Sequence, residues 1–318
     1  MLTKQKILDS VKKVVDQSSF VSIDEEAINK YVKGFVSTEI VHWNAVYPLG
    51  YKPRTKKEDE IDFLFILGNQ AFCYWGYPAK WTIEYKGQKL DGWYGHIAAY
   101  ERALERGMNL LDGEFLAGLT LEKTREIFAG EPEIPLLEKR WEIMKSIGQT
   151  LVEKYQGRFH NFFEAHQKDV FELTEAIAAE FAGFNDVPTY KGSEVFFYKK
   201  IQLVLIDISQ KAETIPNIDD SHGFADYKIP AILRTLGILK YNEELGQKVD
   251  NRIELPEASE MEIEIRASML WACYLIVEKL RTKHPTLNMA DFENILWIES
   301  QDKAKIDKPY HLTRTVFY

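Results

Sequence analysis

The sequence predicts a mainly α-helical protein, folded as one domain over residues 1–318, with a small β-hairpin near residues 81–94. Three observations predict it. Apolar residues recur at helical spacing in segments spread along the chain. The best hairpin pattern is Trp81-Thr-Ile-Glu-Tyr85, which alternates, turns at Lys86-Gly87 and returns over Leu90 to Tyr94. The chain has 318 residues, 45% of them hydrophobic, and no Gly/Ser linker, fixed-period repeat or composition shift marks a boundary.

The elements follow in order. Ile7, Val11, Val14 and Val15 make residues 3–16 an amphipathic helix. Ser22-Ile-Asp-Glu25 has the capping-box pattern, with a helix continuing through Ala27, Ile28, Tyr31 and Val32. Residues 61–75 are almost wholly apolar and should be buried, although their period does not separate helix from strand. After the hairpin, helices are expected at 96–106, 120–129, 135–155 with Pro135 in the first turn, and 167–182 closed by Gly183. Residues 194–211 read as a long apolar helix carrying Lys199 and Lys200, one facing out and the other a pocket. A helix from Ile229 to about Leu239 is next. Ser259-Glu-Met-Glu262 is a second capping box and opens a long helix to about Lys279. The last helix spans 289–299, and the tail His311–Tyr318 is apolar enough to dock.

Charge and composition exclude some functions. The formal net charge is −9 with no basic block, which argues against a grip on a nucleic-acid polymer. Cys73 and Cys273 sit in apolar runs and suit a reducing compartment, so a soluble, cytoplasmic protein is expected. No signal-peptide h-region or membrane span is read. No phosphate-binding glycine loop, dinucleotide fingerprint or nucleophile elbow occurs. Asp219, Asp220, His222 and Asp226 could be drawn as a hard-metal site, but their spacing matches no ligand pattern.

The remaining candidates are carboxylates, lysines and rings. Phe224-Ala-Asp-Tyr-Lys-Ile-Pro230 puts Asp226, Lys228, Phe224 and Tyr227 within five residues. An acid between aromatic walls can have a tuned pKa; Asp226 can equally cap the helix that follows. Glu262 and Arg266 form an (i, i+4) pair, which is commonly local helix support. Glu293 lies one turn before Trp297. An aromatic-rich pocket with one prominent acid suits cleavage of a glycosidic bond in a nucleoside or nucleotide.

Phe224–Pro230, followed by Leu233, Leu236-Gly-Ile-Leu239 and Tyr241, resembles the signature of the queuosine salvage family, the queuosine 5′-phosphate N-glycosylases. Similar stretches run in order along nearly the whole chain: Phe72-Cys-Tyr-Trp75, Ala98–Ala103, Ile134–Arg140, Phe197–Gln202, Glu260–Ala267 and the His311–Tyr318 tail. The resemblance implies a fold related to the helical DNA glycosylases. It implies hydrolysis of queuosine 5′-monophosphate to queuine, a 7-deazaguanine base, and ribose 5-phosphate, without a metal or organic cofactor. Asp226 would be the catalytic carboxylate. Lys199 would contact the substrate, plausibly at its phosphate, and Phe72, Trp75, Phe224 and Tyr227 would wall the base. Lys228 would orient the acid, and Glu262, Arg266, Glu293 and Trp297 complete the expected substrate-binding set. A monomer acting on a small nucleotide, with no nucleic-acid polymer or membrane as partner, is expected.

Three positions depart from the family pattern. Ala71 stands where Asn precedes the aromatic run, Lys228 where Arg is common, and Glu293 where Asp often precedes Leu-Trp. The last two keep charge; the first removes a hydrogen-bonding side chain near the expected base pocket. Two alternatives remain: a non-catalytic binding protein for a modified nucleoside or base, and a glycosylase acting on DNA or RNA.

Overall fold

The computed structural model describes residues 1–36, 40–166, 169–302 and 304–318. Among them the chain forms fifteen α-helices and three antiparallel two-stranded ribbons, a mainly α fold. The Cα positions group into two compact units. The first comprises residues 1–50, 186–202 and 219–314; the second comprises 51–185, 203–218 and 315–318.

The first unit is built on the helix Glu260–Leu280, apolar nearly all round and buried for most of its length, as a helix at the centre of a core must be. Ser259 opens it by accepting a hydrogen bond from the Glu262 amide. Helix Lys4–Asp16 packs on it through Ile7, Leu8, Val11 and Val14, with Thr3 as its cap. The chain then reverses over the Glu264 carboxylate. Its Oε2 accepts from the amides of Ser19, Phe20 and Val21 at 3.0, 2.7 and 3.2 Å, and its Oε1 from the Tyr190 hydroxyl at 2.8 Å. A buried carboxylate so supplied has its hydrogen-bonding capacity met.

The second unit contains the helix Lys57–Asn69, whose residues 60–69 are all buried. Phe65 stacks on Phe159 at 3.6 Å between ring centroids. The buried acid Asp62 accepts from Arg158 Nε at 2.5 Å and the His160 amide at 2.6 Å. The hairpin pairs Thr82–Tyr85 with Gln88–Asp91 around Lys86-Gly87, as the alternation predicts, although the return strand ends at Asp91 where helix Gly92–Glu105 begins. Tail residues dock in each unit: His311, Leu312 and Thr313 are buried in the first, and Tyr318 in the second, where its carbonyl accepts from the Cys73 amide at 2.8 Å.

Several expectations are corrected. The cap of helix Glu25–Gly34 is Asp24, not Ser22: Asp24 accepts from the Ala27 amide, while Ser22 lies in strand Val21–Ile23, paired with Leu239–Tyr241. The helix expected over 229–239 ends early, at Thr235, because Gly237 turns the chain with φ of 73° before strand Leu239–Tyr241. Pro135 precedes helix Leu137–Tyr155, because Leu136 takes a left-handed conformation. The helix expected from 167 spans Val170–Glu180, capped by Asp169; residues 167 and 168 lie outside the described residues. The 194–211 segment is helical only from Lys199 to Lys211, because Ser193–Glu194 pair with Thr189–Tyr190 and Tyr198 has φ of 47°. Neither Lys199 nor Lys200 faces out; both are buried.

Candidate active site

The site is built on the turn Ser221–Tyr227 of the first unit, and each group in that turn has a separate tether. Ser221 Oγ donates to Gln202 Oε1 at 2.9 Å. His222 Nε2 donates to the Phe197 carbonyl at 2.8 Å; a carbonyl accepts only, so the proton sits on Nε2. Burial holds this imidazole neutral, with a pKa lowered to about 4. The Phe224 amide donates to Glu293 Oε2. The Ala225 carbonyl accepts from Arg266 Nε at 3.0 Å. The Asp226 amide donates to the Phe224 carbonyl at 2.7 Å, which folds the turn on itself.

These tethers place the Asp226 carboxylate. Its Oδ1 accepts from the amides of Lys228 and Ile229 at 2.9 and 3.0 Å, at the start of helix Lys228–Thr235. Asp226 therefore caps that helix, in the ordinary way of an N-terminal acid. It is 8% exposed. Burial raises its pKa above the usual carboxylate value, opposed by the charge of Lys199, the two amides and the charge of Lys228. Lys199 is 9% exposed, and burial lowers its pKa to about 8, opposed by the charges of Asp226 and Asp186. A buried acid and a buried amine thus stabilise each other's ionised forms.

Arg266 anchors the floor of the site. Its two terminal nitrogens reach Asp186 at 3.1 and 2.5 Å, Nη1 also reaches Glu262 at 3.3 Å, and the guanidinium stacks on Phe197 at 4.0 Å. Glu262 is thus held along the helix by Arg266, as the (i, i+4) spacing predicts. Asp186, which sequence reasoning missed, completes the buried cluster. Eighty residues separate it from Arg266, and no local pattern links the two.

Glu293 lies on helix Met289–Glu299 and is fully buried. Burial, with the negative charge of Asp226, raises its pKa well above the usual value, opposed by the Phe224 amide. A side chain at Gly223 would collide with this carboxyl, and Gly223 also has φ of +93°. Glycine is required there on both counts.

The structure therefore brings Lys199, Phe224, Asp226, Tyr227, Lys228, Glu262, Arg266, Glu293 and Trp297 into one unit. Tyr227 lies against Tyr310, ring centroids 5.0 Å apart. Lys228 meets Asp226 through its amide; its ammonium donates to Gln301 Oε1 at 2.8 Å and lies 5.7 Å from the Trp297 ring. Phe72 and Trp75 are buried in the second unit, where the Arg140 guanidinium stacks on Phe72 at 4.0 Å. The four residues drawn as a metal site do not converge: Asp219 accepts from Asn288 Nδ2, Asp220 from Lys4 Nζ, and Asp226 from helix amides. The Cys273 thiol is buried, and burial raises its pKa well above the usual value, which suits packing and not nucleophilic attack.

The model of the queuosine salvage protein family matches residues 51–318. A queuosine 5′-phosphate N-glycosylase/hydrolase from Sphaerobacter thermophilus is 33% identical over 98% of this chain and 97% of its own length. The chain belongs to the queuosine salvage protein family. Proteins of the same name from Nematostella vectensis and Mus musculus are 29% and 26% identical, each aligned over at least 96% of both chains. Among the described residues, no helix is long and apolar enough to cross a membrane.

Proposed function

We propose that this protein hydrolyses the N-glycosidic bond of queuosine 5′-monophosphate, releasing queuine and ribose 5-phosphate, and that residues 1–318 act as one catalytic domain. Family membership and the names of full-length relatives support the reaction. The observation that carries it is Asp226, a buried carboxylate fixed by two amides beside the buried Lys199.

The chemistry needs such a group. As the bond from C1′ to the base nitrogen breaks, its electron pair leaves with the base and positive charge grows on the ribose. The 7-deazaguanine base has carbon in place of N7, so protonation at that position cannot assist departure. Stabilising the ribose cation is then the larger task, and a preorganised carboxylate performs it. Asp226 lies under the sugar in this reading and accepts a proton from the water that adds to C1′. Lys199 binds the 5′-phosphate. Phe224 and Tyr227 hold the base, Lys228 orients Asp226 through its amide, and Glu262, Arg266, Glu293 and Trp297 complete the binding set.

The test is incubation with queuosine 5′-monophosphate and chromatography for free queuine. Release by the wild type, abolished in Asp226→Asn, is expected. Undiminished release by that variant removes Asp226 from the mechanism. Tight binding of the base with no turnover makes the protein a non-catalytic binder.

A further inference from the structure

Burial favours the neutral, protonated form of Glu293, and one of its carboxyl oxygens has no hydrogen-bond partner among the described residues. Its Oε2 accepts from the Phe224 amide, so Oε2 is the carbonyl oxygen of the neutral acid and the hydroxyl is at Oε1. Oε1 is buried and has no hydrogen-bond partner among the described residues. An unsatisfied buried hydroxyl is costly to a fold, and an apolar side chain would avoid that cost. Gly223, two residues before Ala225 and three before Asp226, leaves open the space that Oε1 takes. His222, next in the chain to Gly223, presents a second buried atom without a partner, Nδ1, which is an acceptor once Nε2 holds the proton. The turn that supplies the catalytic carboxylate is thus flanked by an unused donor and an unused acceptor.

We propose that Glu293 is the general acid of the reaction, giving its Oε1 proton to the departing base while Asp226 serves the ribose. The proposal rests on the hydrolase reading above. The balance is closed. The C1′–N bond breaks with its electron pair going to the base, and the Glu293 proton goes to a ring nitrogen of that base. Water adds to C1′ and its proton goes to Asp226. Return of that proton to Glu293 regenerates both carboxyl groups. Two acids of one site in opposite protonation states is the arrangement that acid–base catalysis requires. Burial and the charge of Asp226 favour the protonated form of Glu293.

Leaving-group dependence tests it. Glu293→Gln, Glu293→Asp and the wild type are assayed on queuosine 5′-monophosphate and on 4-nitrophenyl riboside 5′-phosphate, whose leaving group departs without a proton. Glu293→Gln is expected to lose about 100-fold or more in kcat on the nucleotide, with the deficit narrowing at least about tenfold on the aryl substrate. Glu293→Asp keeps an acid and recovers part of the nucleotide activity. Equal deficits on both substrates, or none, overturn the assignment and leave the hydrolase reading standing. Wild-type protein that releases queuine from neither nucleotide preparation nor nitrophenol from the aryl substrate sinks that reading, and this one with it.

Discussion

Arg266 and Asp186 form a two-pronged ion pair, at 3.1 and 2.5 Å, with both side chains almost wholly removed from solvent. Arg266 Nε fixes the carbonyl of Ala225, the residue before Asp226. A cluster that looks like helix support therefore helps to set the position of the Asp226 carboxylate.

Truncating either partner leaves the other buried and uncompensated. Arg266→Ala and Asp186→Ala are each expected to lower stability by about 3–5 kcal/mol. The double variant should lose less than the sum, because the second truncation removes the orphaned charge. Urea denaturation of the three variants measures this. Strict additivity would show that the pair is energetically uncoupled.

Lys199 gives a pH signature. With a pKa of about 8, it loses its charge as pH rises through 8 in the free protein. If it binds the 5′-phosphate, KM should rise above pH 8 by up to about tenfold per pH unit, while KM for the dephosphorylated nucleoside stays level. Lys199→Arg remains charged throughout this range and should flatten the curve. An unchanged wild-type KM to pH 9.5 would remove the ammonium from phosphate binding.

How far the sequence foretold this arrangement depends on the range of each interaction. Ser259, the Lys86-Gly87 turn and the helix at 289–299 are local, and their patterns are legible in adjacent residues. Ser22 misleads because Asp24, two residues on, offers an equally good cap, and pairing with Leu239–Tyr241 draws Ser22 into a strand. Lys199 and Lys200 mislead differently. A lysine in an apolar run reads as one that must escape to water, but the charges that hold Lys199 inside, Asp226 and Asp186, are remote in sequence. The candidate site residues were nameable from several short stretches, Phe72–Trp75, Phe197–Gln202, Phe224–Pro230 and Glu260–Ala267 among them. Their tethers were not, since Arg266–Asp186 and Phe224–Glu293 are closed only by folding.

Gly223 and Glu293 should behave as a coupled pair. Gly223→Ala meets the Glu293 carboxyl and a φ of +93°. A loss of at least about 2 kcal/mol is expected. Adding Glu293→Ala removes the collision and leaves the backbone strain, so the double variant should be more stable than the two single effects added together. Thermal or urea unfolding of the four-member cycle reads the coupling, and a coupling of zero would mean the collision is relieved elsewhere.

The acid side of the stability curve should depend on His222. Its folded pKa, about 4, lies below the unfolded value of about 6.5. Below pH 6.5 the unfolded chain takes up a proton that the folded protein refuses, so this residue favours folding above pH 6.5 and its contribution is lost as pH falls toward 4. His311, lowered to about 3 by burial and the charge of Arg266, acts in the same direction. Glu293 and Asp226 act in the opposite one. Their folded pKa values are raised, so the folded protein binds their protons more tightly than the unfolded chain does. The net slope mixes all four, but a single substitution separates one of them. His222→Asn should flatten the decline of unfolding free energy between pH 6 and 4 by about 1.4 kcal/mol per pH unit, while lowering stability at pH 7 through the changed contact with the Phe197 carbonyl. Denaturant unfolding at several pH values in that range gives both slopes. Parallel curves for variant and wild type would mean that His222 is protonated in the folded state, and would also remove Nδ1 as a free acceptor beside Gly223.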